Sequence, residues 1–126
     1  MNEALAVFRV SADMARHAGQ AQAQIARNIA NADTPGYRAM GLQSFADTVK
    51  NAGVLTLRTT RPTHQSGPES SAVARLLDSG TEPAPNGNTV SLEDELLESA
   101  EVASDHRRAL AIYGHALTVL RTSIGR

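Results

Sequence analysis

Cysteine and tryptophan are absent from this chain of 126 residues, and aromatic residues make up only 3% of it. The absence of cysteine excludes disulfides and thiolate metal sites. Only 41% of the residues are apolar, which leaves room for one structural unit but not for a large core of its own. We therefore expect the stability of the fold to depend partly on neighbouring molecules.

An excess of charge of one sign is also missing, because 12 basic residues balance 13 acidic ones and the formal net charge is -1. Such a balance provides no field that would steer the chain onto nucleic acid or an anionic membrane. Long apolar runs are absent too, and Glu3, Arg9, Asp13 and Arg16 interrupt the first twenty residues. We expect neither a membrane-spanning helix nor a cleavable signal peptide.

A long amphipathic helix is predicted over about residues 2 to 32. Its apolar side chains form two neighbouring stripes, so the apolar surface is wider than one partner helix would cover. The first stripe consists of Leu5, Phe8, Ala12, Ala15, Ala26 and Ile29, with an interruption at Gly19 and Gln22, and the second consists of Val7, Met14, Ala18, Ala21 and Ile25. The helix should therefore pack against two neighbours.

A second long helix is predicted from Ser91 to the end of the chain. Ser91 fits the N-cap position, and Asp94 stands where a capping box usually has Glu or Gln. The positions that follow alternate in steps of four and three, which is the spacing of a coiled-coil seam, and all are apolar except Ser99 and His106. This seam consists of Leu92, Leu96, Ser99, Ala103, His106, Leu110, Tyr113, Leu117, Leu120 and Ile124, and a neighbouring stripe consists of Val102, Ala109, Ile112, Ala116 and Val119.

Two helices of roughly 30 residues would each be about 45 Å long at 1.5 Å per residue, so the molecule should be elongated. We predict a mainly α fold, an elongated antiparallel coiled-coil pair of N- and C-terminal helices with a small, partly irregular middle containing a short β element. If the helices pack only on each other, their second stripes stay exposed. Because burying one Leu or Ile contributes about 1.5 to 3 kcal/mol, the isolated chain should be marginally stable, with partly disordered termini before assembly.

The middle of the chain predicts little regular structure. Val54 to Thr60 fits a short strand, Met40 to Val49 a helical turn or two, and Val73 to Leu77 a short helix. Ser66 to Ser71 and Ser79 to Asn88 have the composition of loops. We divide the chain into an N-terminal helix (1–32), a middle with turn, strand and loop (33–90) and a C-terminal helix (91–126), all within one structural unit.

The residues around the end of the first helix form a distinctive motif. Asn31 and Asp33 compete with helical backbone hydrogen bonds, and Pro35 disfavours the helical conformation at Thr34, so the helix should end near Asn31 to Asp33. Pro35 and Gly36 suit the centre of a type II turn, because glycine tolerates the positive φ that this turn requires. From these residues alone, a generic helix stop remains an equally good interpretation.

Catalysis is not indicated. None of the histidines is placed in a His-x-x-x-His or Glu-x-x-His pattern that would bind a metal ion. Asp105 and His106 are adjacent on a helix and point about 100° apart, which is wrong for a base and its orienting carboxylate. His106 fits better as a packed or register-setting residue of the seam. We predict no catalytic, cofactor-binding or metal-binding residues.

Several motifs together resemble one protein family. Asn28-Ile29-Ala30-Asn31-Ala32-Asp33-Thr34-Pro35-Gly36-Tyr37, here called the signature segment, resembles the N-terminal signature of the axial proteins of the bacterial flagellum. Thr59-Thr60-Arg61-Pro62-Thr63-His64 is similar to an element of their rod proteins, and the segment from Pro85 to Glu95 is similar to the entry into their C-terminal helix. Leu120-Arg121-Thr122-Ser123-Ile124 extends the match to the end of the chain. Within this family the chain is most similar to the proximal rod subunits.

The resemblance implies a structural subunit of the flagellar basal-body proximal rod that polymerises through its terminal helices into a hollow drive shaft. The implied partners are copies of itself, other flagellar rod proteins, the rod adaptor at the inner-membrane ring and the export gate, with no nucleic acid and no small-molecule substrate. The rod would cross the periplasm, and export would use the flagellar type III apparatus without a cleaved signal peptide. A cytosolic coiled-coil adaptor or export chaperone is the alternative, because it would show the same heptads.

Two sets of residues are expected to serve assembly. The first set is the signature segment with its turn. The second set lies on the terminal helices and consists of Leu5, Phe8, Met14, Ile25, Ile29, Leu92, Leu96, Leu110, Ile112, Tyr113, Leu117, Val119, Leu120 and Ile124.

Overall fold

A computed structural model of the chain describes residues 2–51 and 74–125. The elements in chain order are α1 (Asn2–Ala30), β1 (Met40–Leu42), α2 (Phe45–Asn51), β2 (Leu76–Asp78) and α3 (Leu92–Ser123). The two terminal helices make up most of the described chain, which confirms the predicted mainly α fold. No helix of these residues is both long and apolar enough to cross a membrane.

The two long helices α1 and α3 pack side by side and run in opposite directions. Near the start of α1, the rings of Phe8 and Tyr113 meet edge to face with their centroids 5.0 Å apart. Farther along α1, Gln22 Nε2 donates a hydrogen bond of 2.8 Å to Ser99 Oγ. Since later positions in α1 meet earlier positions in α3, the predicted antiparallel pair is confirmed.

The contact between the helices uses mainly the second stripes. Ala18, Ala21 and Ile25 of α1 are buried, as are Ala109 and Ala116 of α3. The prediction that the seam packs between the two helices is wrong for Leu92, Leu96 and Leu110, which are exposed within the chain, while Leu117 and Leu120 are half-buried. Small alanine side chains let the helix backbones approach closely, so these alanines pack between the helices, whereas Leu92, Leu96 and Leu110 face outward.

The middle of the chain differs from the predictions at two places. Met40–Leu42 forms β1, so the predicted helical turns begin only at Phe45. Leu76 and Leu77 belong to β2, so the helix predicted at 73–77 is wrong. The strands pair with each other antiparallel, with Met40 opposite Asp78 and Leu42 opposite Leu76, and this long-range pairing outweighs local helix preference.

Two further predictions for the middle have different outcomes. The segment from Ser79 to Asn88 contains no helix or strand, as predicted. The strand predicted at 54–60 and the loop predicted at 66–71 lie outside the described residues.

The strand β1 and the short helix α2 lie on one side of the helix pair, next to α1. Ser44 caps α2, because its Oγ accepts a hydrogen bond of 3.2 Å from the backbone N–H of Asp47. Phe45, the first residue of α2, packs against the ring of His17 with centroids 5.6 Å apart. A cleft of about 300 Å³ on this side is lined by residues that include Met14, Leu42 and Glu101.

No described element covers the opposite side of the helix pair, which we call the open face. It presents residues of the first stripe of α1 and of the seam of α3. Members of these two sets meet at the contacts between Phe8 and Tyr113 and between Gln22 and Ser99. The other members lie on the same faces of their helices, because they recur at the helical spacing of three and four residues. The open face consists of Leu5, Phe8, Ala15, Gly19 and Gln22 of α1 and Leu96, Ser99, Ala103, Leu110 and Tyr113 of α3.

Candidate assembly site: the signature segment and the open face

The helix α1 ends within the signature segment. Its last residue is Ala30, one position before the predicted range. The backbone N–H groups of Asn31 and Ala32 then donate to the carbonyls of Asn28 and Ile29 at 3.0 and 3.2 Å. These bonds span three residues instead of four, so the chain tightens before it leaves the helix axis.

The predicted turn follows directly. Gly36 has a φ of 71°, and the N–H of Tyr37 donates to the carbonyl of Thr34 at 3.3 Å. Both features are those of a type II turn with proline and glycine at its centre. The local chemistry of Pro35 and Gly36 was therefore sufficient to predict this conformation.

Asn88, in the loop before α3, caps the end of α1 from a distance. Its Nδ2 lies 2.9 Å from the carbonyl oxygen of Asn31, 2.8 Å from that of Ala32 and 2.8 Å from that of Thr34. These carbonyls belong to the turn that directly follows Ala30, so a side chain of the second terminal segment holds this turn at the end of α1. This role of Asn88 was not predicted, because its partners lie more than 50 residues away in the sequence.

The turn itself rests on the same loop. The N–H of Gly36 donates to the carbonyl of Asn86 at 3.0 Å. A Cβ atom on Gly87 would lie 3.4 Å from the Cα of Gly36, and Gly87 has a φ of 80°. The two backbones are therefore in contact here, and glycine at both positions satisfies the positive φ that each turn requires.

Asn28 is the centre of a buried hydrogen-bond network. Its side chain is 1% exposed, and its Nδ2 donates to the carbonyl of Met40 at 2.9 Å and to Glu95 Oε1 at 2.8 Å. Its Oδ1 accepts from Gln24 Nε2 at 3.0 Å and from the Tyr37 hydroxyl at 3.2 Å. A single side chain thus ties α1 to the turn, to β1 and to α3.

Glu95 is the charged group of this network. It is 5% exposed, and its Oε2 is buried without a hydrogen-bond partner among the described residues. Burial raises the pKa of Glu95 above the ordinary value of 4.5, the hydrogen bond from Asn28 lowers it, and the nearby Glu98 and Asp94 raise it further. Both polar atoms of Asn28 have hydrogen-bond partners, whereas Glu95 Oε2 has none among the described residues. The stability of this network therefore depends on whether Glu95 is charged.

Glu95 was not among the predicted site residues, although one signal pointed to it. It precedes Val102, Ala109 and Ala116 at intervals of seven residues, so it occupies the heptad position that packs against α1. A carboxylate at this position is typical of the solvated first turn of a helix, so its burial does not follow from the local sequence.

Ser91 caps α3 as predicted. It adopts an extended conformation, and its Oγ accepts a hydrogen bond of 3.4 Å from the N–H of Asp94. Thr89 joins the same entry segment to the chain after the turn, because its Oγ1 accepts from the N–H of Ala39 at 2.7 Å and its own N–H donates to the carbonyl of Tyr37 at 3.0 Å. The signature segment and the entry to α3 therefore form one hydrogen-bonded unit.

The predicted assembly residues of the terminal helices divide into three groups by exposure. Only Ile25 is buried in the chain, so the remainder are available in whole or in part for contacts between molecules. Phe8, Met14, Ile29, Leu117 and Leu120 are half-buried, and Leu5, Leu92, Leu96, Leu110, Ile112, Tyr113, Val119 and Ile124 are exposed.

A groove of about 370 Å³ runs between the helices on the open face. Its lining includes Ala18, Gly19 and Ala103, whose small side chains leave the floor open, and Arg107 at its edge. Nothing lies within 4 Å of the position where a Cβ of Gly19 would be. The groove has the size and apolar character to receive a large side chain from another molecule.

The histidines are not arranged for metal binding or proton transfer in the part of the chain that the structure describes. No group of His, Asp and Glu there could hold a metal ion. Asp105 pairs with Arg108 at 3.0 Å. His17 Nε2 lies 2.8 Å from the carbonyl oxygen of Gln43, so this ring ties α1 to the segment before α2.

Known proteins match this chain over most of its length. A family model described as "Flagella basal body rod protein" matches residues 13–38, which include the whole signature segment. A relative from Cereibacter sphaeroides, named "Flagellar basal body rod protein FlgB", is 36% identical over 99 residues, or 77% of each chain. A relative of the same name from Salmonella typhimurium is 32% identical over 108 residues, or 78% of each chain. The resemblance found in the sequence is confirmed, and the chain belongs to the family of flagellar basal body rod proteins.

Proposed function

We propose that this structural subunit of the flagellar basal body rod polymerises through its two terminal helices and forms the proximal part of a hollow shaft. Membership of the family makes the chain a structural protein and not an enzyme, as predicted. The alternative of a cytosolic adaptor or export chaperone has no support in these matches, because the relatives are named as rod proteins.

The observation that supports polymerisation is the exposure of the leucine seam. Leu96 is 62% exposed and Leu110 53% exposed, while the contact within the chain uses alanines. Burying each large apolar side chain contributes about 1.5 to 3 kcal/mol, so covering the open face with another subunit would stabilise both molecules. Contiguous exposed apolar surface of this kind marks a site of association.

The signature segment has a different role in this proposal. Its hydrogen bonds to Asn86, Asn88 and Glu95 hold the ends of the two long helices in one fixed arrangement. A subunit of a regular polymer must present its contact surfaces at a constant angle, and this network supplies the necessary rigidity at one end of the pair.

The position of the subunit in the rod determines which other proteins it contacts. We place the subunit in the basal body, in the part of the rod that crosses the periplasm, in contact with other rod proteins, with the rod adaptor at the inner-membrane ring and with the export gate. The helices α1 and α3 would form the inner wall of the shaft. We also assign export of the subunit to the flagellar type III apparatus.

Two matched substitutions test polymerisation through the open face. Leu110→Asp places a charge on the open face, and Leu77→Asp places the same charge on β2; both leucines are 53% exposed in the chain. We expect both purified variants to retain the helical circular dichroism of the parent. We expect only Leu110→Asp to abolish swimming in a strain that lacks the chromosomal copy, because only its charge would be buried on assembly. Swimming of the Leu110→Asp strain at the parental rate would contradict the proposal.

A further inference from the structure

The cleft beside α2, which we call the side cleft, has an apolar floor and two unlike walls. Its volume is about 300 Å³, and Met14 of α1, Leu42 of β1 and Phe45 of α2 supply large apolar side chains to its lining. The segment from Leu42 to Phe45 forms one wall. The other wall is formed by α3, because β1 and α2 lie next to α1.

The wall formed by α3 is negatively charged. Glu98, Glu101 and Asp105 line it, and the described lining contains no lysine or arginine. Asp105 is paired with Arg108 at 3.0 Å. Glu98 and Glu101 are exposed and form no ion pair with another residue that the structure describes. Two carboxylates beside an apolar floor are therefore available to a group that combines apolar surface with a positive end.

The last turn of α3 has this combination of properties. Arg121 is exposed and forms no ion pair with another described residue. Ile124 is 75% exposed, the largest value for any large apolar side chain of the described chain. We call Leu120, Arg121 and Ile124 the α3 tip. Both its charge and its apolar surface are complementary to the side cleft.

The α3 tip also extends past its partner helix. Phe8 meets Tyr113 and Gln22 meets Ser99, so each step forward along α1 corresponds to one step back along α3. By this correspondence Asn2, the first described residue of α1, lies at the level of Val119. No described residue of α1 lies beside the α3 tip, so the tip can enter a cleft on another molecule without separating the helix pair.

We propose that the α3 tip of one copy of this chain binds in the side cleft of a second copy, with Arg121 beside Glu98 and Glu101 and with Ile124 against the apolar floor. This inference rests on the proposed function and adds a contact between subunits that lies outside the open face. Arginine pairs well with carboxylates, because its planar guanidinium donates several hydrogen bonds. Burial of Ile124 adds an apolar contact that the single chain does not provide.

The charges on both sides of this contact agree with it. No acidic residue follows Asp105 in the sequence, so the α3 tip brings no carboxylate side chain towards Glu98 and Glu101. Arg108 of the receiving copy is paired with Asp105 and lies seven positions, or about 10 Å, along α3 from Glu101. The contact therefore places Arg121 next to two carboxylates and at a distance from Arg108.

Arg27, in the last turn of α1, is a less suitable occupant of the side cleft. It is also exposed and forms no ion pair with another described residue. Its neighbours one turn away on the helix are Ala23 and Ala30, which are too small to fill an apolar floor. The apolar floor therefore favours the α3 tip.

The contact repeats from one subunit to the next. The α3 tip and the side cleft are different surfaces, so a subunit whose tip fills the cleft of its neighbour still has an empty cleft of its own. Such a head-to-tail contact continues along an open polymer. Two copies that fill each other's clefts would instead close into a dimer, so only the head-to-tail arrangement agrees with the proposed rod.

Crosslinking tests this contact directly, because the chain contains no native cysteine. Two single variants, Glu98→Cys and Thr122→Cys, leave Glu101 and Arg121 in place and are produced together in a strain lacking the chromosomal copy. Isolated basal bodies are then treated with a short bismaleimide crosslinker and separated on denaturing gels. Positions 98 and 122 of one chain are about 36 Å apart along α3, so the crosslinker joins them only between two molecules.

The double variant Gln22→Cys with Ser99→Cys serves as the control. These side chains touch within one chain and should give an intramolecular product, which shows that the crosslinker reaches the protein in basal bodies.

The expected result is a dimer that requires both single variants, and a ladder of larger products when both substitutions are in one chain. Dimers from Glu98→Cys alone or Thr122→Cys alone would show that equal positions meet and would overturn the proposal. Products of the double variant that stop at the dimer would indicate two copies filling each other's clefts, and coupling of Glu98→Cys to a different protein would indicate another occupant. Both results would overturn the proposal.

Two further outcomes separate this contact from the rod function. Basal bodies that contain the chain but yield only the intramolecular control product would overturn the contact and leave the rod function intact. Absence of the parental chain from basal bodies would instead contradict the proposed function.

A charge exchange provides an independent test, measured as the diameter of the swim ring in soft agar. Glu101→Arg and Arg121→Glu should each reduce swimming, because each places like charges together between copies. The two substitutions combined should restore it at least in part. Arg27→Glu makes the same change as Arg121→Glu in the last turn of the other long helix and should leave swimming unchanged. Failure of the combined variant to swim better than either single variant would contradict the pairing of positions 101 and 121.

Discussion

Asn28 and Glu95 are two polar residues buried where a helix pair usually places apolar ones. The amide of Asn28 is matched by partners on both of its polar atoms. Glu95 has one oxygen matched and one buried without a partner among the described residues. Burying a carboxylate in this way is costly, so the stability of the fold depends on the protonation of Glu95.

The first prediction concerns the pH dependence that Glu95 introduces. Because burial raises the pKa of Glu95 in the folded chain, the folded state holds this proton more tightly than the unfolded state does. The contribution of Glu95 to the free energy of unfolding is therefore largest below its ordinary pKa of 4.5 and is lost as pH rises through the raised pKa. Glu95→Gln keeps an oxygen for Asn28 and cannot ionise. We expect its stability relative to the parent to increase as pH rises from 4 to 8.

Urea unfolding followed by circular dichroism at several pH values measures this difference. Glu82→Gln removes an exposed carboxylate and serves as the control, for which we expect a nearly constant difference from the parent. A difference between Glu95→Gln and the parent that does not change with pH would show that Glu95 ionises freely in the folded chain.

The second prediction concerns the conformation of Gly36. Its φ of 71° lies in the left-handed region, which a β-branched residue adopts only with strain. We expect Gly36→Val to reduce the free energy of unfolding by about 1 to 3 kcal/mol and to disrupt rod assembly. The cause is conformational, because nothing lies within 4 Å of the position of the added Cβ. Thermal unfolding of the purified variant and electron microscopy of basal bodies measure the two effects.

Gly36→Asn is the matched variant, because asparagine adopts positive φ more readily than valine does. It should fall between the parent and Gly36→Val in stability. Normal rods in the Gly36→Val strain would show that assembly does not require this turn conformation.

At the residue scale, the turn could be predicted from sequence and the network could not. Pro35 and Gly36 determine the turn through their own backbone preferences, which act on neighbouring residues. Asn28 and Glu95 are 67 positions apart, and nothing in either local sequence indicates that they meet. Such contacts follow only from the packing of whole helices.

At the scale of elements, α1 and α3 each carry two neighbouring apolar stripes, and the small residues of the second stripes form the contact between the helices. The long helices, the Ser91 cap and the antiparallel arrangement followed from periodicity and capping residues. Periodicity did not predict which stripe packs between the helices, because both stripes have the same spacing and differ only in side-chain size. β1 and β2 were missed for a related reason, since each is three residues long and is stabilised by its pairing with the other.

The third prediction tests the packing of α1 on α3. Ala109 is fully buried at this contact, so Ala109→Leu should force the helices apart and lower the free energy of unfolding by about 1 to 3 kcal/mol. Ala111→Leu adds the same side chain at an exposed position of α3 and should change stability by less than about 0.5 kcal/mol. Urea unfolding of the purified variants makes the comparison. Equal effects of the two substitutions would contradict the packing of the alanine stripe.

At the scale of the whole molecule, the chain is a pair of long helices with one covered side and one open face. Its buried core is formed largely by alanines and by polar side chains, with Ile25 as the largest apolar member. Such a core stabilises a single chain only weakly, and many large apolar side chains of the described residues, such as those of Leu96, Leu97 and Leu110, are exposed. This arrangement is poor for an independent globule and suitable for a subunit that completes its packing in a polymer.

Electron microscopy of cell envelopes tests the central claim that this chain builds the rod. An in-frame deletion strain is compared with the same strain carrying the gene on a plasmid, and each basal body is scored for a rod extending from the inner-membrane ring. Rings without rods in the deletion strain, with rods restored by the plasmid, are the result expected. Intact rods and filaments in the deletion strain would contradict the account.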